Sequence, residues 1–166
     1  VVDSTMKIVD KPIAGTTPEP LFKIFTPNSS SEQGILFPLA VVGAADKNKM
    51  ALVTEYLNRS EIKDLFPKDL SFKWSAKPTK NPQTLKYTKK YELYAIKTLP
   101  DGKAPLEGDR VIDAREAPDP RTNEVNVSLK MDQEGARKWG EMTTKAAADR
   151  NREIAIVLDG EVVSAP

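Results

Sequence analysis

Glu153-Ile-Ala-Ile-Val-Leu-Asp-Gly-Glu-Val-Val-Ser-Ala-Pro166 is the stretch on which the fold reading turns. Ile154 to Leu158 is a continuous apolar run, the pattern of a strand covered on both faces. Asp159-Gly160 fits a tight hairpin turn, because both residue types tolerate the positive φ such a turn needs. Val162 and Val163 then begin a return strand. A hydrophobic hairpin that stops at Pro166, with no helix, tail or charged cap after it, is expected of a piece cut from a longer chain.

Upstream of this hairpin the pattern changes period. Asp132 is placed to cap a long helix running to about Arg150, with Ala136, Trp139, Thr143, Ala146 and Ala147 as its expected buried face and Met142 beside it. Glu124 to Met131 alternates, with Val125, Val127 and Leu129 expected inward. Ala117 to Asn123 is a loop by composition, and Arg110 to Ala114 is a further strand candidate. Lys90 to Thr98 is apolar on both faces (Tyr91 and Leu93, then Tyr94 and Ile96), which predicts a central strand. Leu70, Phe72, Trp74 and Ala76 alternate with Ser71, Lys73 and Ser75, a half-buried strand. Pro78 to Gln83 reads as loop, and Pro100-Asp-Gly102 as a turn.

Nearer the start, Asp46 is a candidate cap for a helix whose Met50, Val53 and Leu57 share a face, with Tyr56 flanking it. A helical turn from Glu61 is stopped by Pro67. Leu39 to Gly43 is a short strand. Residues 1–38 are interrupted by Pro12, Pro18, Pro20, Pro27 and Pro38; Asn28 to Gly34 is a loop, and Leu21 to Phe25 is the segment apolar enough to pack. The order β-α-β-β, then β-β-α-β-β, predicts an α+β fold, a mostly antiparallel sheet with two main helices packed on it. Three regions are expected: an extended arm over 1–38, an α+β subdomain over 39–99, and a further segment over 104–166.

The 166 residues suffice for one domain or two small subdomains, and hydrophobic residues at 39% with charged residues at 30% are globular proportions. The net charge of +1, from 25 basic and 24 acidic residues, argues against a dedicated nucleic-acid surface. With no cysteine and no histidine, disulfides, thiolate zinc sites and histidine-dependent catalysis are excluded. Asp159 reads as a turn residue rather than a catalytic carboxylate. Glu107, Asp109 and Asp113 lack the spacing of a calcium loop and read as solvated acids. No cofactor or metal is implied, and no pair of acids stands out for glycoside hydrolysis. Between Lys73 and Lys90 lie six lysines with Trp74 and Tyr87 among them. That pattern is read as a solvated strand face and loop, with nucleic acid or an anionic surface as the alternative target, narrowed to acidic lipid headgroups if the chain is periplasmic.

Three segments resemble one family. Lys103-Ala-Pro-Leu-Glu-Gly-Asp109 with Val111-Ile-Asp-Ala-Arg115 comes first. Val125-Asn-Val-Ser-Leu with Glu134-Gly-Ala136 and Trp139 follows, then Ile154-Ala-Ile-Val-Leu-Asp-Gly160 with Val162 and Ser164-Ala-Pro166. In this order they resemble SecD and SecDF, bacterial protein-export membrane proteins, at the head of the first periplasmic domain. Leu21-Phe22, Val42-Gly43 and Phe66-Pro67 resemble the variant in Bacteroidetes-type SecDF chains. One departure is Asp149-Arg-Asn-Arg-Glu153, where the family has a glycine turn; Asn151 is the residue suited to the left-handed conformation there. The resemblance implies a non-enzymatic domain on the periplasmic side of the inner membrane. Its implied partners are an unfolded preprotein, the SecYEG channel and the SecF portion of the parent, with no nucleic acid. It implies proton-motive-force-driven export, with the proton-carrying acids in membrane spans elsewhere. Unfolded chain is expected to bind at apolar grooves or a strand edge, around Leu70, Phe72 and Trp74. The alternative is a secreted or surface scaffold or adhesion module.

Overall fold

The computed structural model of the chain describes residues 21–28, 31–32, 35–36, 40–81, 83–118 and 125–166. In chain order these form α1 (Leu21–Ile24), β1 (Thr26–Pro27), β2 (Ser31–Glu32), β3 (Ile35–Leu36), β4 (Val41–Asp46), α2 (Met50–Asn58) and α3 (Ser60–Lys63). After them come β5 (Leu70–Trp74), β6 (Lys90–Lys97), β7 (Val111–Pro118), β8 (Val125–Met131), α4 (Gln133–Ala148), β9 (Ile156–Leu158) and β10 (Glu161–Ser164). The fold is α+β, and the expected order of strands and helices holds from β4 onward. Of the arm over 1–38, residues 1–20, 29–30, 33–34 and 37–38 lie outside the described residues, as does 119–124 of the loop after β7.

Apolar residues on both faces placed β6 at the centre of a sheet, and it pairs antiparallel with β4 on one side and β5 on the other. With β1 beyond β4, the sheet has four strands in the order β1-β4-β6-β5. Leu93 of β6 and Ala45 of β4 face α2, which returns Val53 and Tyr56; these four and Ile24 of α1 are the buried core cluster. Each fully buried aliphatic side chain of this kind contributes about 1.5–3 kcal/mol. Leu52, Leu57, Phe72 and Trp74 pack at its margin. The helix face therefore turns further than expected, with Tyr56 inside the core rather than beside it. Asp46 precedes a 3₁₀ turn at Lys47–Lys49 and makes no side-chain cap bond.

Gly43 sits where β1 pairs antiparallel with β4, opposite Pro27. A Cβ at Gly43 would lie 2.5 Å from the Thr26 carbonyl oxygen and would collide with the Phe25 ring. The absent side chain is what lets α1 and β1 close over this end of the sheet.

The second half is built differently. β7 and β8 form a separate two-stranded ribbon, and β9 and β10 another. The helix start was read correctly: the Asp132 carboxylate accepts from the Gly135 N–H at 2.7 Å, capping α4. Three burial expectations fail here. Val127 is 65% exposed and Leu129 40%, so the alternating face of β8 is not turned into a core. In α4, Ala136 and Ala147 are exposed and Trp139, Met142, Thr143 and Ala146 only half-buried. The run Ile154 to Leu158 is not a strand covered on both faces: β9 holds only its last three residues, and Val157 and Leu158 are exposed. A two-stranded ribbon has no second layer of its own, so these apolar positions are at most partly covered. The Asp159-Gly160 turn is as expected, with φ of 50° and 85°. After α4 both Arg150 and Asn151 take positive φ, so the turn lacking glycine uses two left-handed residues, not one.

Candidate functional site

β5 is the outer strand of the four-stranded sheet. Its far end is partly covered: the Ala76 N–H donates to the Val162 carbonyl at 2.8 Å, joining β10 to the sheet in parallel beside Ser75. The Ser75 N–H donates the other way, to the Glu92 carbonyl of β6 at 2.8 Å. Backbone direction alternates along an antiparallel strand, so Ser71 and Lys73 also bond inward and Phe72 presents its N–H and C=O to the outer edge. Among the described residues nothing pairs with Phe72 on that edge, which leaves it open to an added strand.

The side chains of Leu70, Phe72 and Trp74 point the same way, toward α2. The structure brings Leu70 and Phe72 together in an apolar groove of about 290 Å³, with Leu21, Phe25, Leu57 and Phe66 among its other walls. Phe66 meets Phe72 edge to face at 5.1 Å between ring centres. Trp74 is not part of this groove. Its indole N–H donates to Thr54 Oγ1 at 2.9 Å, tying β5 to α2. No polar side chain lines the groove, so it offers shape and apolar area but no acid, base or orienting hydrogen bond. Sequence reasoning missed Leu21 and Phe25 as groove walls, although their i, i+4 spacing carried the signal.

Titratable groups lie away from this groove. Tyr94, on the opposite face of β6, has its phenol pushed up to about 12, first by burial and then by Glu92, whose carboxylate accepts its hydroxyl at 3.1 Å. At the start of α4 the Gly135 N–H, and then Arg110, hold the Asp132 carboxyl below the usual carboxylate range. The Arg110 guanidinium lies 3.1 Å from Asp132 and 3.7 Å from Glu134, joining the foot of β7 to the helix. Asp109 and Asp113 face Arg110 and Arg115 rather than each other. Among the described residues no three acids converge as a metal site would require, and no described helix is long and apolar enough to cross a membrane.

Residues 83–166 match the family model for the SecDF P1 head subdomain. The chain belongs to that family. It is 48% identical over 59 residues to the protein translocase subunit SecD of Desulfurispirillum indicum, covering 36% of this chain and 11% of that one. It is 31% identical over 134 residues to the SecD of Rhodothermus marinus, covering 81% of this chain and 19% of that one. A third similarity, 36% over 61 residues, is to the SecD of a Synechocystis species, with 37% of this chain and 13% of that one covered. The chain thus spans less than a fifth of the length of these relatives. No solved structure matches it at a comparable level. The SecDF match begins inside the β5–β6 connection and takes in β6, both ribbons and α4. The similarity to the Rhodothermus SecD is long enough to reach beyond that match.

Proposed function

We propose that this SecDF P1 head chain is a periplasmic, non-enzymatic part of a SecD-type translocase subunit that assists export of unfolded preproteins through the SecYEG channel. In this reading the parent uses the proton-motive force, and the domain holds a segment of precursor while it moves relative to the membrane. The precursor adds a strand along β5 and places apolar side chains in the groove behind Leu70 and Phe72, while Trp74 keeps the strand fixed on α2. Main-chain pairing with an apolar pocket suits a client of no fixed sequence.

The observation that carries the reading is the combination of family membership with a sheet edge backed by a wholly apolar groove. Hydrogen exchange with a permanently unfolded precursor tests it. Amides on the open edge of residues 70–74 are expected to gain protection with the unfolded client and not with the same protein folded. Binding without protection there moves the site elsewhere. An absence of binding favours the scaffold alternative.

A further inference from the structure

Six of the chain's 25 basic residues and none of its 24 acidic ones lie between Leu70 and Tyr91. The near-zero net charge conceals this asymmetry. Four of the six lie on or beside one element, Lys80 and Lys86 within it and Lys77 and Lys89 flanking it. Beyond the loop expected over Pro78 to Gln83, residues 79–81 and 83–88 fold back on each other as a narrow ribbon. The Thr88 N–H donates to the Thr79 carbonyl and the Asn81 N–H to the Lys86 carbonyl, at 2.8 and 2.9 Å. Lys80 and Tyr87 pair across it, with the Lys80 ammonium 5.1 Å from the Tyr87 ring centre.

At the tip, the Asn81 side chain accepts from the Gln83 and Thr84 N–H groups, and Leu85 follows with φ 56°. A leucine rarely takes that conformation. Here it leaves the Leu85 side chain 74% exposed, beside Tyr87 at 56%. Lys77, Lys80, Lys86 and Lys89 are all exposed around and below it, and among the described residues none of them makes an ion pair. The acids that bracket the segment are engaged elsewhere: Asp69 faces Lys97 and Glu92 accepts from Tyr94.

We propose that this ribbon is a membrane-surface anchor that docks on an anionic phospholipid bilayer through its exposed lysines and Leu85. Leu85 and the Tyr87 ring enter the headgroup boundary while Lys77, Lys80, Lys86 and Lys89 meet the phosphates. Several features select a bilayer over other polyanions. The element is a narrow two-stranded turn with exposed side chains. Its most exposed large apolar side chain, Leu85, is aliphatic, which has no face for base stacking but gains free energy in the acyl boundary. Lysine stems can also lie along the apolar layer with their ammonium groups in the headgroups. The assignment goes beyond the precursor-binding reading and does not depend on it, since the ribbon leaves β5 from the end opposite Leu70.

Co-sedimentation of the 166-residue chain with lipid vesicles tests it. Vesicles containing phosphatidylglycerol are expected to bind the chain, binding is expected to fall with salt, and phosphatidylcholine vesicles are expected to leave it in solution. A lysine near such a surface is worth about a fivefold change in partitioning, so Lys77→Gln, Lys80→Gln, Lys86→Gln and Lys89→Gln together should weaken binding more than about a hundredfold. Leu85→Ser keeps every charge and should cost about tenfold through lost apolar insertion. All five positions are exposed, and circular dichroism would verify that the variants fold. The proposal is overturned by equal binding to both vesicle types, by no binding to either, or by indifference to the lysine changes. It is equally overturned if Leu85→Ser binds like the parent and single-stranded DNA displaces the vesicles, which would make the ribbon a general polyanion contact.

Discussion

Leu93 in β6 is 2% exposed, whereas Val127 in β8 is 65% exposed. Both are apolar residues at strand positions expected to face a core. Leu93 has β4 and β5 on either side and α2 above it. Val127 has one neighbouring strand and no covering layer among the described residues. Alternation reports which face of a strand is apolar; it does not supply the element that must lie over that face. The first half of the chain contains its own cover, α2 with α1. The second half has a helix of sixteen residues, yet α4 is fastened mainly at its N-terminal end, through Asp132 and Arg110, and leaves the β8 face open.

The largest test of this contrast is Leu93→Ala, expected to destabilise the chain by about 2–5 kcal/mol in urea unfolding because it leaves a cavity in a packed layer. A smaller effect would mean that the sheet–helix layer is looser than its burial implies. Gly43→Ala comes next, at about 1–3 kcal/mol, since the added methyl meets Phe25 and the Thr26 backbone. Gly140 in α4 is the opposite case. A Cβ at Gly140 meets nothing, so Gly140→Ala should stabilise that helix by about 0.5–1 kcal/mol, read from thermal unfolding.

A fourth test uses pH. The Tyr94 phenol ionises near 10 in an unfolded chain but at about 12 when folded. Its raised pKa contributes stability that is fully present below pH 10 and is lost as pH rises from about 10 to about 12. Tyr94→Phe should flatten that alkaline decline, and ultraviolet titration should lose a phenol ionising at about 12 in this variant. The smallest expected effect is Val127→Ala, within about 0.5 kcal/mol, as for any exposed position. A loss of several kcal/mol there would mean that the β8 face is covered after all and would erase the contrast.

Much of the local structure was legible in the residues alone. The alternation at Leu70 to Trp74, the doubly apolar β6, the Asp132 cap and the Asp159-Gly160 turn are set by backbone sterics and by nearest neighbours in sequence. The family signature over 103–166 is likewise a matter of sequence. The candidate groove was half legible: the sequence marked Leu70, Phe72 and Trp74 as one face, but not that Trp74 turns aside to Thr54 while Leu21 and Phe25 close the other wall. Those contacts join positions far apart along the chain.

The basic ribbon shows the same division. Its six lysines and the absence of acids from 70 to 91 are countable in the sequence. That residues 79–81 and 83–88 fold back on each other with Leu85 exposed beside the turn was decided by cross-strand hydrogen bonds and one left-handed leucine. The sequence by itself determined which faces are apolar, where the turns fall and which family the chain resembles, because those depend on local chemistry. Only the tertiary structure decided which apolar faces are covered, since burial requires a second layer and no strand carries the identity of its neighbour.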